Sequence, residues 1–392
     1  MKSKKTLNYG SHLVDEADIK TVIKVLKSQS LTNGKEVEKF EKDFAKIVKS
    51  KFALSCSNGT TALHLALLAL KIKKGDCIIV PNITFIATFN SVLMAGATPI
   101  ICDVDEHTGL IDIHKIKEII FKYKLKIKGL IAVHLYGNVV KLKQIGEEFP
   151  NLNIIEDSCH SLGSYYYEGK KKITVGDCSY SKLSTFSFHP VKNITTGEGG
   201  MVTTNNKEIY KRLVLLRNHS LERVSYKSTD YPYNINQMGY NYRLSDIQCA
   251  LGRSQLGKIK KFKIYRQKIF KRYEKNLKKQ SSLIDFVDDK YSNSFWHLLV
   301  IKLDFKRIGI SRRKFITNLY QKNIGTQLHY KPLSSHNFIK KFCTNSIIEK
   351  YTSSKKFFDR ILTIPLHNNL KLQDVDYICY HLNQLLKLKS KF

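Results

Sequence analysis

The sequence predicts an α/β chain: a large, mostly parallel mixed sheet with helices on both faces, followed by a small C-terminal α+β domain. Three observations carry this reading. From about residue 50 to 210, short β-branched runs alternate with helical patterns, as the crossover connections of a parallel sheet require. A lysine-studded helical stretch then runs from Leu244 to about Leu277, and beyond it the strict alternation stops. The chain has 392 residues, more than the roughly 250–300 at which a single core stops growing. The expected division is 1–245 and 246–392.

Taken in order, Cys77–Val80, Pro99–Val104, Gly129–His134 and Leu152–Ile155 read as buried strands, being short, β-branched and bounded by turn signals. Between them Thr60–Leu70, Ala87–Ala95 and Ile113–Lys122 carry helical spacing. After the linking helix, a strand is expected at Phe295–Leu303, a helix near Arg312–Lys322, a strand near Leu362–Ile364 and a last helix from Gln373. Trp296, the sole tryptophan, and Tyr165-Tyr166-Tyr167 read as structural, the first as core and the second as a strand or loop edge.

Composition narrows the function classes. Apolar residues at 42% and charged residues at 25% are ordinary for a globular chain. The longest apolar run, Ala62 to Leu70, contains His64 and is far short of the ~20 residues of a membrane span, and no apolar stretch follows the first lysines, so a soluble chain without a secretory signal is expected. Eight cysteines occur without a CxxC pair, which suits buried free thiols in a reducing cytoplasm rather than zinc or disulfides. The formal charge of +33 raises nucleic-acid binding as a reading. The excess is spread along the chain, with no zinc finger, RNA-binding aromatic signature or concentrated basic arm, and solvated helix faces account for it. A positive surface still favours a substrate that carries phosphates.

Three loops at expected strand ends hold unusual residues. Ser57-Asn58-Gly59-Thr60-Thr61 precedes an apolar helix: Gly59 permits a tight turn, Thr60 can cap, and free N–H groups at the helix start suit a phosphate. Ile154-Ile155-Glu156-Asp157 is a strand ending in acids, in a setting dry enough to need a cationic partner. Ser187-Phe188-His189-Pro190-Val191-Lys192 leads to a glycine-rich turn at Gly197, Gly199 and Gly200. A lysine desolvated there would have a lowered pKa and a nucleophilic amine, and the glycines would allow close approach of a ring or phosphate. A phosphate cradle, an acid and a buried lysine are together what a pyridoxal phosphate enzyme requires. Phe85, after another strand, could stack on the ring.

With these residues in place, the chain resembles the DegT/DnrJ/EryC1/StrS sugar aminotransferases, which have the aspartate aminotransferase fold (fold type I of the pyridoxal phosphate enzymes). The likeness runs through SNGTTAL, PNITFIATFNSVLMAGATPIICDVD, IIEDSCHSLGS, SFHPVKNITTGEGG, MGYNYRLSDIQCALG and IPLHNNL. It implies pyridoxal 5'-phosphate as cofactor, Lys192 as the lysine that carries it, Asp157 as the partner of the ring nitrogen and Phe85 as the stacking aromatic. Ser187, Thr60 and Thr61 become phosphate ligands, and His160, with Arg243 a weaker transfer, is placed near the cofactor. Asn241 would reach the cofactor phosphate of a neighbouring subunit, which implies a homodimer with shared sites. His329 and Tyr330 are candidates for substrate contact. Within the family the likeness leans toward members of pseudaminic acid biosynthesis, which use L-glutamate and a UDP-linked 4-keto-6-deoxy-N-acetylhexose. It rests on SFHPVKNITTGEGG, LHYKPL and IPLHNNL, although Gly197 stands where those members have alanine and the stretch after Pro332 differs. Other readings stand beside it: amination at C3, a dTDP or GDP sugar, or a non-catalytic basic relative. Lys192 itself disfavours the deoxygenating relatives, which have histidine there.

Overall fold

The computed structural model describes residues 6–122, 126–223, 233–278, 282–342 and 351–387; the expected free thiol at Cys343 lies outside them. After helices α1 (Glu16–Leu26) and α2 (Lys35–Val48), the chain enters β1 (Phe52–Cys56), α3 (Gly59–Ala69), β2 (Cys77–Pro81), α4 (Ile86–Met94), β3 (Thr98–Cys102) and α5 (Ile113–Lys122). It continues through β4 (Ile127–Val133), α6 (Leu142–Glu148), β5 (Asn153–Asp157), a hairpin of β6 (Tyr165–Glu168) and β7 (Lys171–Thr174), β8 (Leu183–Ser187) and β9 (Gly200–Thr204).

Seven of these strands form one sheet in the order β1-β9-β8-β5-β4-β2-β3. β3, β2, β4, β5 and β8 run parallel, while β9 is antiparallel to both β8 and β1. The parallel strands are buried almost throughout, which is why they read as continuous apolar runs rather than alternating ones. Pro99 is tolerated in β3 because that strand is the sheet edge. Helix α3 is buried nearly all round, including His64, which explains an apolar run without an exposed face.

The long helical stretch is two helices, α8 (Asp246–Gly257) and α9 (Ile259–Leu277), divided at Lys258 after α7 (Lys207–Arg217). Strands β10 (Leu221–Arg223) and β11 (Tyr233–Ile235) form a hairpin ahead of them. Beyond α9, β12 (Ile284–Phe286), β13 (Ser292–Asn293), β14 (Leu299–Leu303) and β15 (Ile361–Ile364) follow, with β12-β14-β15 making an antiparallel sheet. The strand expected at Phe295–Leu303 is thus shorter: Phe295–Leu298 are buried but irregular, and Trp296 has φ of 29°.

The C-terminal sheet has a core of its own, made with α9 and the last helix, Leu372–Leu386. Leu7 belongs to that core: its N–H donates to Asn323 and its carbonyl accepts from Gly325, so the N-terminal segment crosses to the C-terminal part of the chain. Tyr165–Tyr167 lie in β6, and the cysteines at 56, 77, 102, 178, 249 and 379 are buried thiols outside any disulfide. No helix among the described residues is long and apolar enough to cross a membrane.

Candidate active site

The C-terminal ends of β4, β5 and β8 and the N-terminus of α3 meet at a cavity of about 650 Å³, where ligands bind in open α/β sheets. Thr60, Phe85, Asp157, His160, Ser187, Lys192, His329 and Tyr330 all line it.

At α3, Asn58 rather than Thr60 is the N-cap. Its side chain accepts the Thr61 N–H at 2.9 Å, and the Thr61 hydroxyl accepts the Asn58 N–H at 3.1 Å. This reciprocal box turns the Thr61 side chain back into the loop, away from the cavity lining, while Thr60 faces the cavity. The N–H groups of Gly59 and Thr60 are left without an intrahelical partner, as at any helix start. Gly59 is there for space: a Cβ on it would stand 2.9 Å from Ser187 Cβ and 3.3 Å from Cys159 Sγ. The helix start, Ser187 at the end of β8 and that gap form a small anion cradle which any side chain at 59 would fill.

β5 ends in two acids with different tasks, because successive strand residues point to opposite faces. Glu156 faces His134, whose Nε2 is 3.1 Å from its Oε2, and also takes a hydrogen bond from Ser181. Asp157 faces the cavity. Its Oδ2 accepts from the Thr88 hydroxyl at 2.9 Å and its Oδ1 from the Cys159 N–H at 3.2 Å.

β8 ends at Ser187, and the turn that follows is closed by the Lys192 N–H on the His189 carbonyl, 2.9 Å. Burial lowers the pKa of the Lys192 amine below its ordinary value, with the Cys159 thiol and the Asp157 carboxylate acting in the opposite direction. The neutral, nucleophilic amine is therefore present at lower pH than in a solvated lysine. Two glycines after it do not serve a ligand. A Cβ on Gly199 would strike Thr196 Oγ1 at 2.2 Å and one on Gly200 the Asn58 carbonyl oxygen at 2.3 Å, so both are needed for packing against protein. Gly197, at φ of 79°, makes the turn itself and stands in open space.

The rest of the lining comes from distant segments. The Tyr330 hydroxyl is 3.2 Å from His160 Nε2, and the Phe85 ring lies 5.8 Å from that of Tyr330 with 55% of its surface exposed. His329 Nδ1 is 2.9 Å from the Thr363 hydroxyl, and its carbonyl accepts from the Tyr136 hydroxyl. Burial, with the positive Lys192 nearby, drives His329 down to about 4 and His160 well below its ordinary value, so both imidazoles are neutral near pH 7. Asn241 stands apart, exposed on the surface and paired through its backbone with Asn218, and the Arg243 guanidinium is 2.5 Å from Asn218 Oδ1.

Several lining residues were absent from the sequence reading. His297 is buried with its ring 4.5 Å from that of His160, and Tyr9 reaches the cavity from the N-terminal segment, its ring 5.0 Å from His329. Gln327 and Glu198 also line it. Only tertiary pairing brings them there. The Thr88 contact had a local signal, Thr84 and Thr88 one helical turn apart in an otherwise apolar stretch.

An amine whose pKa desolvation lowers, an acid held by two donors and an anion cradle in one cavity define a pyridoxal phosphate enzyme site, and the residues present fit that cofactor. The comparisons agree and extend this. The chain belongs to the DegT/DnrJ/EryC1/StrS aminotransferase family, whose profile matches residues 12–383. It is 35% identical over 387 residues to the UDP-4-amino-4,6-dideoxy-N-acetyl-beta-L-altrosamine transaminase of Campylobacter jejuni serotype O:23/36, covering 98% of this chain and 99% of that one. Among solved structures, Helicobacter pylori PseC, an aminotransferase of pseudoaminic acid biosynthesis, superposes with a TM-score of 0.87 at 27% identity, covering 98% of this chain and all of that one. The PLP form of the sugar aminotransferase Spr1654 from Streptococcus pneumoniae does so at 0.86 and 26%, covering 97% and 99%. The fold is that of the PLP-dependent aminotransferases, and the protein is a pyridoxal-phosphate-dependent transaminase.

Proposed function

We propose that this transaminase moves the amino group of L-glutamate to C4 of a UDP-linked 4-keto-6-deoxy-N-acetylhexose, for pseudaminic acid or a related amino sugar. It would act in the cytoplasm, as a homodimer in which the exposed Asn241 completes the phosphate cradle of the neighbouring subunit. The observation that carries the reading is Lys192, Asp157, Ser187 and Gly59 converging on one cavity in a chain 35% identical to a UDP-sugar transaminase.

Bound there, the cofactor supplies an electron sink for the carbon whose C–N bond is made or broken. The chain does the rest. Lys192 Nζ would hold the cofactor until the amine of glutamate displaces it; the freed amine takes the proton from the α-carbon of glutamate, and in the opposite half of the cycle delivers a proton to the sugar C4. Glutamate takes up the oxygen of a water and leaves as 2-oxoglutarate, and its nitrogen replaces the ketone oxygen of the sugar, which departs as water. Asp157 pairs with the ring nitrogen, and its charge favours the protonated ring that best accepts electrons. The α3 start, Thr60 and Ser187 bind the phosphate, and Phe85 stacks on the ring. His329 and Tyr330, on the small-domain side, contact the sugar.

The test is a panel of UDP-4-keto sugars, with dTDP, GDP and 3-keto sugars as competitors, each incubated with enzyme and glutamate and read by mass and NMR. Amination at C4 of a UDP-N-acetylhexose is expected. Preferential turnover of a dTDP or 3-keto sugar would replace the proposed substrate while leaving the chemistry at Lys192 in place.

A further inference from the structure

The Asp157 carboxylate is held by more than its own loop. The Thr88 hydroxyl on α4 donates to Asp157 Oδ2 at 2.9 Å, and Thr84 Oγ1, in the loop before α4, lies 2.8 Å from Thr88 Oγ1. Thr88 has no exposed surface, Thr84 has 2% and Asp157 6%. A hydroxyl has one proton, and the carboxylate takes that of Thr88, so the bond between the two threonines runs from Thr84 to Thr88. The result is a directional chain of two donors ending on the acid, with Thr84 at the cavity and Thr88 behind it.

Packing gives no reason for a hydroxyl at 88. The residue sits in a buried stretch between Ala87 and Phe89, where a valine has the same shape and no polar atom to satisfy. The hydroxyl makes sense through its partner. A buried carboxylate oxygen left without a donor keeps its full desolvation cost and leaves the side chain free to rotate. A donor to a charged acceptor forms the stronger kind of hydrogen bond, and the Thr84 bond polarises it further. With the Cys159 N–H on Oδ1, both carboxylate oxygens are fixed before any ligand enters.

The geometry points to Thr88, backed by Thr84, as a positioning residue that fixes the Asp157 carboxylate toward the ring nitrogen of the cofactor; this rests on the reading of Asp157 given above. Thr88→Val should weaken cofactor binding to the apoenzyme about tenfold and lower kcat by a similar factor, the effect of one hydrogen bond to a charged group, with KM for glutamate within about twofold. The visible spectrum of the bound cofactor at fixed pH should change with it. Thr88→Ser, which keeps the donor, should restore all three, and Thr84→Val should shift them the same way by less. In an Asp157→Asn background, Thr88→Val should add nothing.

If Thr88→Val binds cofactor with unaltered affinity and spectrum while Asp157→Asn changes both, the inference is wrong and Asp157 keeps its role. If Asp157→Asn itself leaves both unchanged, the reading of Asp157 falls and takes this inference with it. Should Thr88→Val fail to fold, Thr84→Val carries the same test, and an unchanged spectrum there counts against the relay.

Discussion

The sheet-side lining of the cavity comes from neighbouring strand ends of one sheet, whereas the small-domain lining is assembled from segments far apart in the chain. On the sheet side, Asp157 and Ser187 are the last residues of β5 and β8, which pair directly, and Lys192 follows Ser187 after one turn. On the other side, Tyr9, His297 and Gln327–Tyr330 are held by a web of long-range bonds. Gln327 exchanges backbone hydrogen bonds with Thr363, the Tyr9 carbonyl accepts from the Leu366 N–H, and the buried Arg266 donates to the carbonyls of Trp296 and His297. The difference separates two tasks. A rigid sheet suits chemistry that every substrate shares, and the multi-segment lining can vary in shape without disturbing it.

Substitutions on the two sides should therefore fail differently. The largest effect is expected for Lys192→Ala, which should reduce turnover about 10⁴-fold, the upper end of what a positioned acid–base group contributes, and remove the visible band of lysine-bound cofactor. Retained turnover would end the account of the sheet side. Next comes Gly59→Ala, whose Cβ would stand 2.9 Å from Ser187 Cβ. Cofactor affinity should drop about tenfold through overpacking of the cradle. The crowding is between protein atoms and is present without cofactor, so the melting temperature of the apoenzyme should fall as well, as calorimetry can check. The smallest effect is expected on the small-domain side. Tyr330→Phe removes the hydroxyl that meets His160 and should raise KM for the keto sugar about threefold to fivefold, leaving the glutamate half-reaction near wild type. Equal loss in both half-reactions would place Tyr330 with the sheet-side machinery instead.

The same division governs what the sequence disclosed. Gly59, Asp157 and Ser187 were legible because each stands at a strand or helix end, where an apolar run stops and a small or charged residue begins, and Lys192 because it follows β8 by one turn. Ile113–Lys122 was legible to the residue, and α3 and α4 within one residue at each end, since their apolar patterns are uninterrupted. The helix break at Lys258 was hidden because the apolar pattern passes through it without proline. The capping role of Asn58 was misplaced on Thr60, for both are capping residue types and only the bond to Thr61 distinguishes them. Gly199 and Gly200 were misread as ligand contacts because a glycine required by packing looks the same in a sequence as one required by a ligand. Tyr9 and His297 had no local signal at all: one lies in an N-terminal segment that crosses to the C-terminal core, and the other in an irregular stretch beside the lone tryptophan.

One chemical trap decides the matter most directly. Holoenzyme treated with borohydride, digested and sequenced by mass spectrometry should carry the reduced cofactor on the peptide containing Lys192 and on no other lysine. A label located elsewhere, or none on that peptide, would contradict the claim that this one cavity amine is the centre of the enzyme.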